Sequence, residues 1–169
     1  MSNFFEQTIR RDPRVSSCRR IDDLGLLEPV FLRMVVEMIR QAKGMGHLLV
    51  PYETFRSQER QIALFERGAT QIRERGTHHF GLACDLVLLK ENRPLWTHDY
   101  CFLGDLAEQY GLIWGGDWGR KGVEPVLRDA VHVQRCSLED QPRLFSGEWY
   151  PDAAYRPLRA GQIVSGFCF

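Results

Sequence analysis

The sequence predicts an α+β fold: a small single domain in which an antiparallel sheet is flanked by helices. Three observations lead there. The chain has 169 residues, the size of one domain. Apolar positions at helical spacing alternate along it with short β-branched and aromatic stretches. Only short loops separate some of those strand-like stretches, which favours antiparallel pairing over parallel crossover units.

Residues 1–24 are polar and Arg-rich and read as an irregular or short helical lead-in. From 29 to 43 the apolar positions Phe31, Leu32, Val35, Val36, Met38, Ile39 and Ala42 share one helical face. Pro29 suits the first turn, and Gly44 and Gly46 suit the exit. Residues 47–55 read as a strand despite Pro51. Ser57 caps a second helix to about Arg67, with Gly68 beyond its end. Residues 82–89 form a short apolar strand. Residues 99–110 form a third helix that buries Phe102, Leu103, Leu106 and Tyr110 and stops at Gly111. Residues 131–134 alternate like a strand, and the rest, ending in GQIVSGFCF, is rich in turn residues.

Lys and Arg total 22 and Asp and Glu total 22, so the formal net charge is zero. That balance lacks the basic footprint of a nucleic-acid binder. Hydrophobic residues at 44% and charged residues at 26% are ordinary globular usage. No apolar run approaches the ~20 residues of a membrane span. The opening MSNFFEQTIRRDPR carries Glu6 early and does not resemble a secretory signal peptide. Cys18, Cys84, Cys101, Cys136 and Cys168 are odd in number and lack a CxxC pair, which favours free thiols and synthesis in the cytoplasm.

The chemistry concentrates in two short blocks. GTHHFGLACD sets His78, Gly81, Ala83 and Asp85 in an HxxGxAxD pattern, and LRDAVHVQ puts Asp129 three residues before His132. By composition alone the first pattern arises with a chance on the order of one in a thousand. Two imidazoles and one carboxylate suit Zn²⁺ and leave a fourth position for water. A further carboxylate can then take that water's proton.

HHFGLACD, then GLIWGGDW, then RDAVHVQ resemble, in order, the blocks of the zinc D-alanyl-D-alanine carboxypeptidase and L-alanyl-D-glutamate endopeptidase family of bacteria and phages. YETFRSQERQ resembles that family's Arg-containing strand-to-helix segment, so the resemblance spans about 48–134. It implies the small α+β fold of D-Ala-D-Ala peptidases and hedgehog domains. It also implies one Zn²⁺ held by His78, Asp85 and His132, Asp129 as catalytic base, and Arg56 binding substrate and stabilising developing charge. The expected organisation is a peptidase domain over 1–136 and a C-terminal extension over 137–169 packed on the same domain. Two departures stand out. The family's serine two places before the first histidine is Gly76, beside Thr77, and the base is aspartate, the form associated with the endopeptidase branch.

The resemblance therefore implies a monomeric zinc peptidase that cleaves peptidoglycan stem peptides. L-Alanyl-D-glutamate endopeptidase is favoured over D-alanyl-D-alanine carboxypeptidase or dipeptidase, and a silent zinc-containing wall-binding module is the alternative of another class. No nucleic acid and no membrane insertion are expected. Such an enzyme would reach the wall as a phage endolysin or a secreted effector. Other residues keep plainer readings. His47 and His98 match no motif. His79, next to a ligand in an extended chain, would point away from it. Cys84 would face a core opposite Asp85. Asp129 could instead pair with Arg128 or Arg56, and Arg56 could serve only to hold strands together. Trp114 reads as packing, while Asp117 and Trp118 either pack or line a cleft. Gly81 reads as a position of close packing or unusual backbone angle.

Overall fold

The computed structural model describes residues 2–118 and 128–157. The lead-in begins with α1 (Phe4–Gln7), where the Asn3 side chain accepts the Glu6 N–H at 3.0 Å. A 3₁₀ turn follows at Ile9–Arg11. Ile9, Ile21, Leu26 and Phe55 bury one another in a small cluster, and an isolated bridge pairs Ile21 with Phe55. The first two dozen residues are thereby fastened to the entrance of the second long helix.

α2 (Pro29–Gly44) starts as its proline requires, and the Glu28 carboxylate caps it by accepting the Phe31 N–H at 2.9 Å. Its inner face buries Phe31, Val35 and Met38 completely, each worth about 1.5–3 kcal/mol of apolar transfer. α3 (Gln58–Glu66) is capped by Ser57, whose hydroxyl accepts the Arg60 N–H at 3.0 Å. α4 (Cys101–Gln109) buries Leu103, Leu106 and Ala107. Phe102 and Tyr110, expected inside, are only partly covered; the Tyr110 hydroxyl needs a polar partner and accepts from Gln41 Nε2 at 2.7 Å.

The sheet has β1 (Leu49–Glu53), β2 (Ala83–Lys90), β3 (Arg93–Pro94), β4 (Ile113–Trp114) and β5 (His132–Gln134). All pairs are antiparallel in the order β1-β2-β5-β4, with β3 on the far end of β2. Pro51 is tolerated because β1 is an edge strand. The α+β architecture is as predicted, but β1 and β2 are joined through α3 and not by a short loop. β3 and β4 are too short for a periodicity signal. β3 follows a two-residue turn in which Glu91 (φ 51°) and Asn92 (φ 64°) are both left-handed.

Register sorts the chemistry onto one face. Cys84 pairs with Val133 and Val133 with Trp114, and all three sink into the core beneath α2 and α4. Glu53 pairs with Asp85 and Asp85 with His132, a polar row on the opposite face. A bulge between Pro51 and Glu53 re-aims the end of β1.

The turn-rich tail contains a helix that its short apolar pattern concealed, α5 (Gln141–Ser146), whose Leu144 packs on Phe80, Leu82 and Cys136. Arg135 is fully buried and donates to Glu28 at 2.9 Å and to the carbonyls of Asp152 and Tyr155 at 2.6 and 2.9 Å. The GQIVSGFCF segment and Cys168 lie outside the described residues. Cys18, Cys84 and Cys136 are free thiols as expected, but Cys101 is disulfide-bonded, which corrects the reading of five free thiols. Among the described residues no helix is long and apolar enough to cross a membrane.

Candidate metal centre

Three local structures deliver the clustered side chains. The first is a 3₁₀ turn at Thr77–Phe80, which carries His78 and ends at Gly81 with φ 66°. A Cβ on Gly81 would stand 2.4 Å from the Leu26 carbonyl oxygen, so both the backbone angle and the close approach require glycine. The second is β2, which presents Asp85. The third is β5, which presents His132 directly across from it.

His78, Asp85 and His132 form a buried group whose ligand atoms all lie within 4.8 Å of one another. Asp85 Oδ1 sits 3.2 Å from His78 Nε2 and 3.1 Å from His132 Nδ1. The other ring nitrogen of His132, Nε2, is 3.0 Å from Gln134 Oε1. The Gln134 amide nitrogen donates to the Cys136 carbonyl, so its oxygen is left to accept. It accepts His132 Nε2–H and also the Thr77 hydroxyl at 3.2 Å. This network assigns the proton of a neutral His132 to Nε2 and turns the Nδ1 lone pair toward the Asp85 carboxylate. With His132 neutral, two acceptors face each other at hydrogen-bond distance, and either a proton on Nδ1 or a metal ion between them satisfies both. The donor set thus fits a divalent ion such as Zn²⁺.

The electrostatics follow from burial and from these contacts. Burial depresses the His78 imidazole below its ordinary value, more than the Asp85 charge lifts it. Burial also works against a charged His132, but hydrogen bonding and the charge of Asp85 raise it above its ordinary value. Burial would lift the Asp85 carboxyl, yet the two imidazoles hold it well below the usual carboxylate range.

Asp129 occupies the turn before β5: its N–H donates to the Gly115 carbonyl at 3.0 Å and its carbonyl accepts the His132 N–H at 3.2 Å. Burial, then the Asp85 charge, raises its carboxyl above the ordinary carboxylate value. The Gly115–Gly116 pair is what permits this turn. A Cβ on Gly115 would meet the Asp129 carbonyl oxygen at 2.5 Å, and one on Gly116 would enter the Trp114 ring at 2.2 Å. Trp114 is core packing, and its indole N–H donates to the Ala130 carbonyl at 2.8 Å. Trp118 does reach the site, its ring centroid 5.0 Å from that of His132.

Arg56 leaves the end of β1 and donates through Nη2 to Asp85 Oδ2 at 3.3 Å, through Nε to Glu53 at 2.7 Å and through Nη1 to Gln61 at 3.2 Å. His79 does not point outward from an extended chain. It lies in the 3₁₀ turn, buried, with Nδ1 3.0 Å from the Gly76 N–H, and burial lowers its pKa to about 4. Cys84 faces the opposite core, as alternation requires. Arg128 Nε donates to the Gly116 carbonyl at 3.1 Å. Sequence reasoning missed Gln134 and Glu53. Gln134 was within reach, since two residues along a strand from His132 is the same face.

A family profile described as D-alanyl-D-alanine carboxypeptidase matches residues 70–135. No curated protein sequence matches the chain. Among solved structures, the chain is similar to the L-Ala D-Glu endopeptidase ChiX of Serratia marcescens, with a TM-score of 0.55 and 23% identity over 75% of this chain and 96% of that one. It is also similar to the L,D-carboxypeptidase DacB of Streptococcus pneumoniae, with a TM-score of 0.51 and 21% identity over 72% of each chain. These likenesses bear out the α+β fold. Arg56 lies outside the profile match, whereas His78, Asp85, Asp129 and His132 all lie within the residues that match the D-alanyl-D-alanine carboxypeptidase profile.

Proposed function

We propose that this protein is a zinc-dependent peptidase that cleaves peptidoglycan stem peptides, acting as an L-alanyl-D-glutamate endopeptidase. The observation that carries the metal chemistry is the convergence of His78 Nε2, Asp85 Oδ1 and His132 Nδ1 beside Asp129. Among the described residues the cluster has three members, which leaves coordination open for water and speaks against a closed structural site. A bound Zn²⁺ would lower the pKa of a coordinated water toward ~7 and polarise the scissile carbonyl.

The chain's own groups then do the rest. Asp129 accepts the proton of the attacking water and returns it to the leaving amine. Arg56 spends its Nε and Nη2 donors on Glu53 and Asp85 and one Nη1 donor on Gln61. Among the described residues one Nη1 N–H has no protein acceptor and is left for a substrate oxygen, where a single donor is worth about 3–4 kcal/mol in other enzymes. Trp118 stands beside His132, where it can contact a bound substrate. The aspartate at 129 supports the endopeptidase reading, and the similar Serratia protein is an L-Ala D-Glu endopeptidase. The substrate sets the place of action at the cell wall, reached as an endolysin or an exported effector.

Mass analysis of muropeptides digested by the protein tests the reading. Release of stem fragments cut after L-alanine is expected, and it should cease with chelator and return with Zn²⁺. Loss of only a terminal D-alanine would overturn the endopeptidase assignment, and chelator-insensitive cleavage would overturn the metal.

A further inference from the structure

We propose that Glu53 is a positioning residue of the metal centre: it clamps the Arg56 guanidinium so that Arg56 occupies Asp85 Oδ2 and leaves Oδ1 to the ion. This inference deepens the metal-centre reading and rests on it.

Glu53 stands directly across from Asp85 at the bulged end of β1 and is 2% exposed. A buried carboxylate needs compensation, and Glu53 has two cations. Arg56 approaches Oε2 through Nε at 2.7 Å and Nη2 at 2.5 Å, while Arg60 donates through Nε to Oε1 at 2.8 Å. The planar fork of Arg56 has one edge fixed by Glu53, so Nη2 can extend only as far as Asp85 Oδ2, at 3.3 Å. The two oxygens of Asp85 thereby have separate duties. Oδ2 takes the guanidinium, and Oδ1 faces both imidazoles.

The charges make the clamp necessary. Glu53 and Asp85 balance Arg56 and Arg60, so an incoming divalent ion meets a neutral cluster whose anionic edge faces it. With the Glu53 charge removed, two guanidiniums confront one carboxylate. Arg56 is then free to close on both oxygens of Asp85, the bidentate grip arginine prefers, and competes with the ion for Oδ1.

The test is metal affinity of the folded protein, measured by competition with a chromophoric chelator for Zn²⁺, together with the visible d–d spectrum of the Co²⁺-loaded form. Glu53→Gln is expected to weaken Zn²⁺ binding about tenfold or more, the range for outer partners of metal ligands, and to alter the Co²⁺ band. Arg60→Met, which breaks the other ion pair of Glu53 and leaves Arg56 clamped, should bind Zn²⁺ no more weakly than the wild type. In an Arg56→Lys background, Glu53→Gln should add no further loss. Wild-type affinity in Glu53→Gln, an equal loss in Arg60→Met, or full additivity with Arg56→Lys would each overturn the clamp while the metal centre stands. Absence of Zn²⁺ binding by the wild type would remove both. Should Glu53→Gln not fold, Glu53→Asp decides: its carboxylate is too short to span both arginines, so weakened binding supports the clamp and unchanged binding overturns it.

Discussion

Gly115 lies so close to the turn bearing Asp129 that a Cβ on it would stand 2.5 Å from the Asp129 carbonyl oxygen and 3.1 Å from His132 Cβ. The glycine is therefore part of how the proposed base and a proposed ligand are held together. Gly115→Ala must push backbone against backbone, and is expected to cost about 1–3 kcal/mol in stability. It should also cut peptidase activity by more than that loss of folded protein explains. Urea melts run beside activity assays on the folded fraction check it; activity equal to wild type would show that the turn can move freely.

Asp129→Asn keeps the shape of the turn and removes the proton acceptor. Turnover is expected to fall by about 10²–10⁴-fold, with zinc content unchanged by elemental analysis. Retained turnover in zinc-loaded Asp129→Asn protein would remove Asp129 from the reaction.

Zinc should stabilise the fold as well as support hydrolysis, because the three ligands come from segments that are brought together only in the native state. At a Zn²⁺ concentration a hundred times the dissociation constant the gain is about 2.7 kcal/mol, read as a rise in melting temperature. His132→Ala should abolish that rise. An equal rise in His132→Ala would place the bound ion elsewhere.

The Glu28–Arg135 pair is buried, with Arg135 fully enclosed, and Glu28 also caps α2. Arg135→Met is expected to destabilise by about 3–5 kcal/mol, since it strands a buried carboxylate. Glu28→Ala should cost a similar amount, and the double variant should cost less than the sum. Chemical denaturation of the four proteins measures this directly.

The lead-in carries a pH-dependent contribution. Hydrogen bonds from Arg14 hold the carboxyls of Asp12 and Asp23 below their ordinary value. Folded values lie below unfolded ones, so the stabilisation is complete above the unfolded value and is lost as pH falls through the folded values. The sites are partly exposed, so its size is on the order of 1 kcal/mol or less. The stability difference between wild type and Arg14→Ala should be constant at neutral pH and vanish in strong acid. A difference that grew on acidification would contradict this sign.

Much of the framework was legible because its signals are local. The apolar stripe of α2, the Ser57 cap and the run of β2 each speak through neighbouring residues. The candidate cluster was legible for another reason: His78, Asp85 and His132 sit in short patterns whose spacing reflects a 3₁₀ turn and two strands. What escaped depends on distant pairing. Two-residue β4 exists because Trp114 stacks over Gly104 and Gly116, and α5 because Leu144 finds Phe80 and Leu82. Glu53 looked like any strand-end carboxylate until the bulge set it across from Asp85.

The alternation of the two sheet faces has a consequence for assembly. If β2 and β5 each paired one residue out of step, Cys84 and Val133 would turn up where Asp85 and His132 now meet, and the polar side chains would be driven into oil. No half-correct arrangement offers half a binding site. Enzymatic output from a refolded preparation should therefore count molecules whose strands zipped in the right phase, making catalysis a direct gauge of folding fidelity.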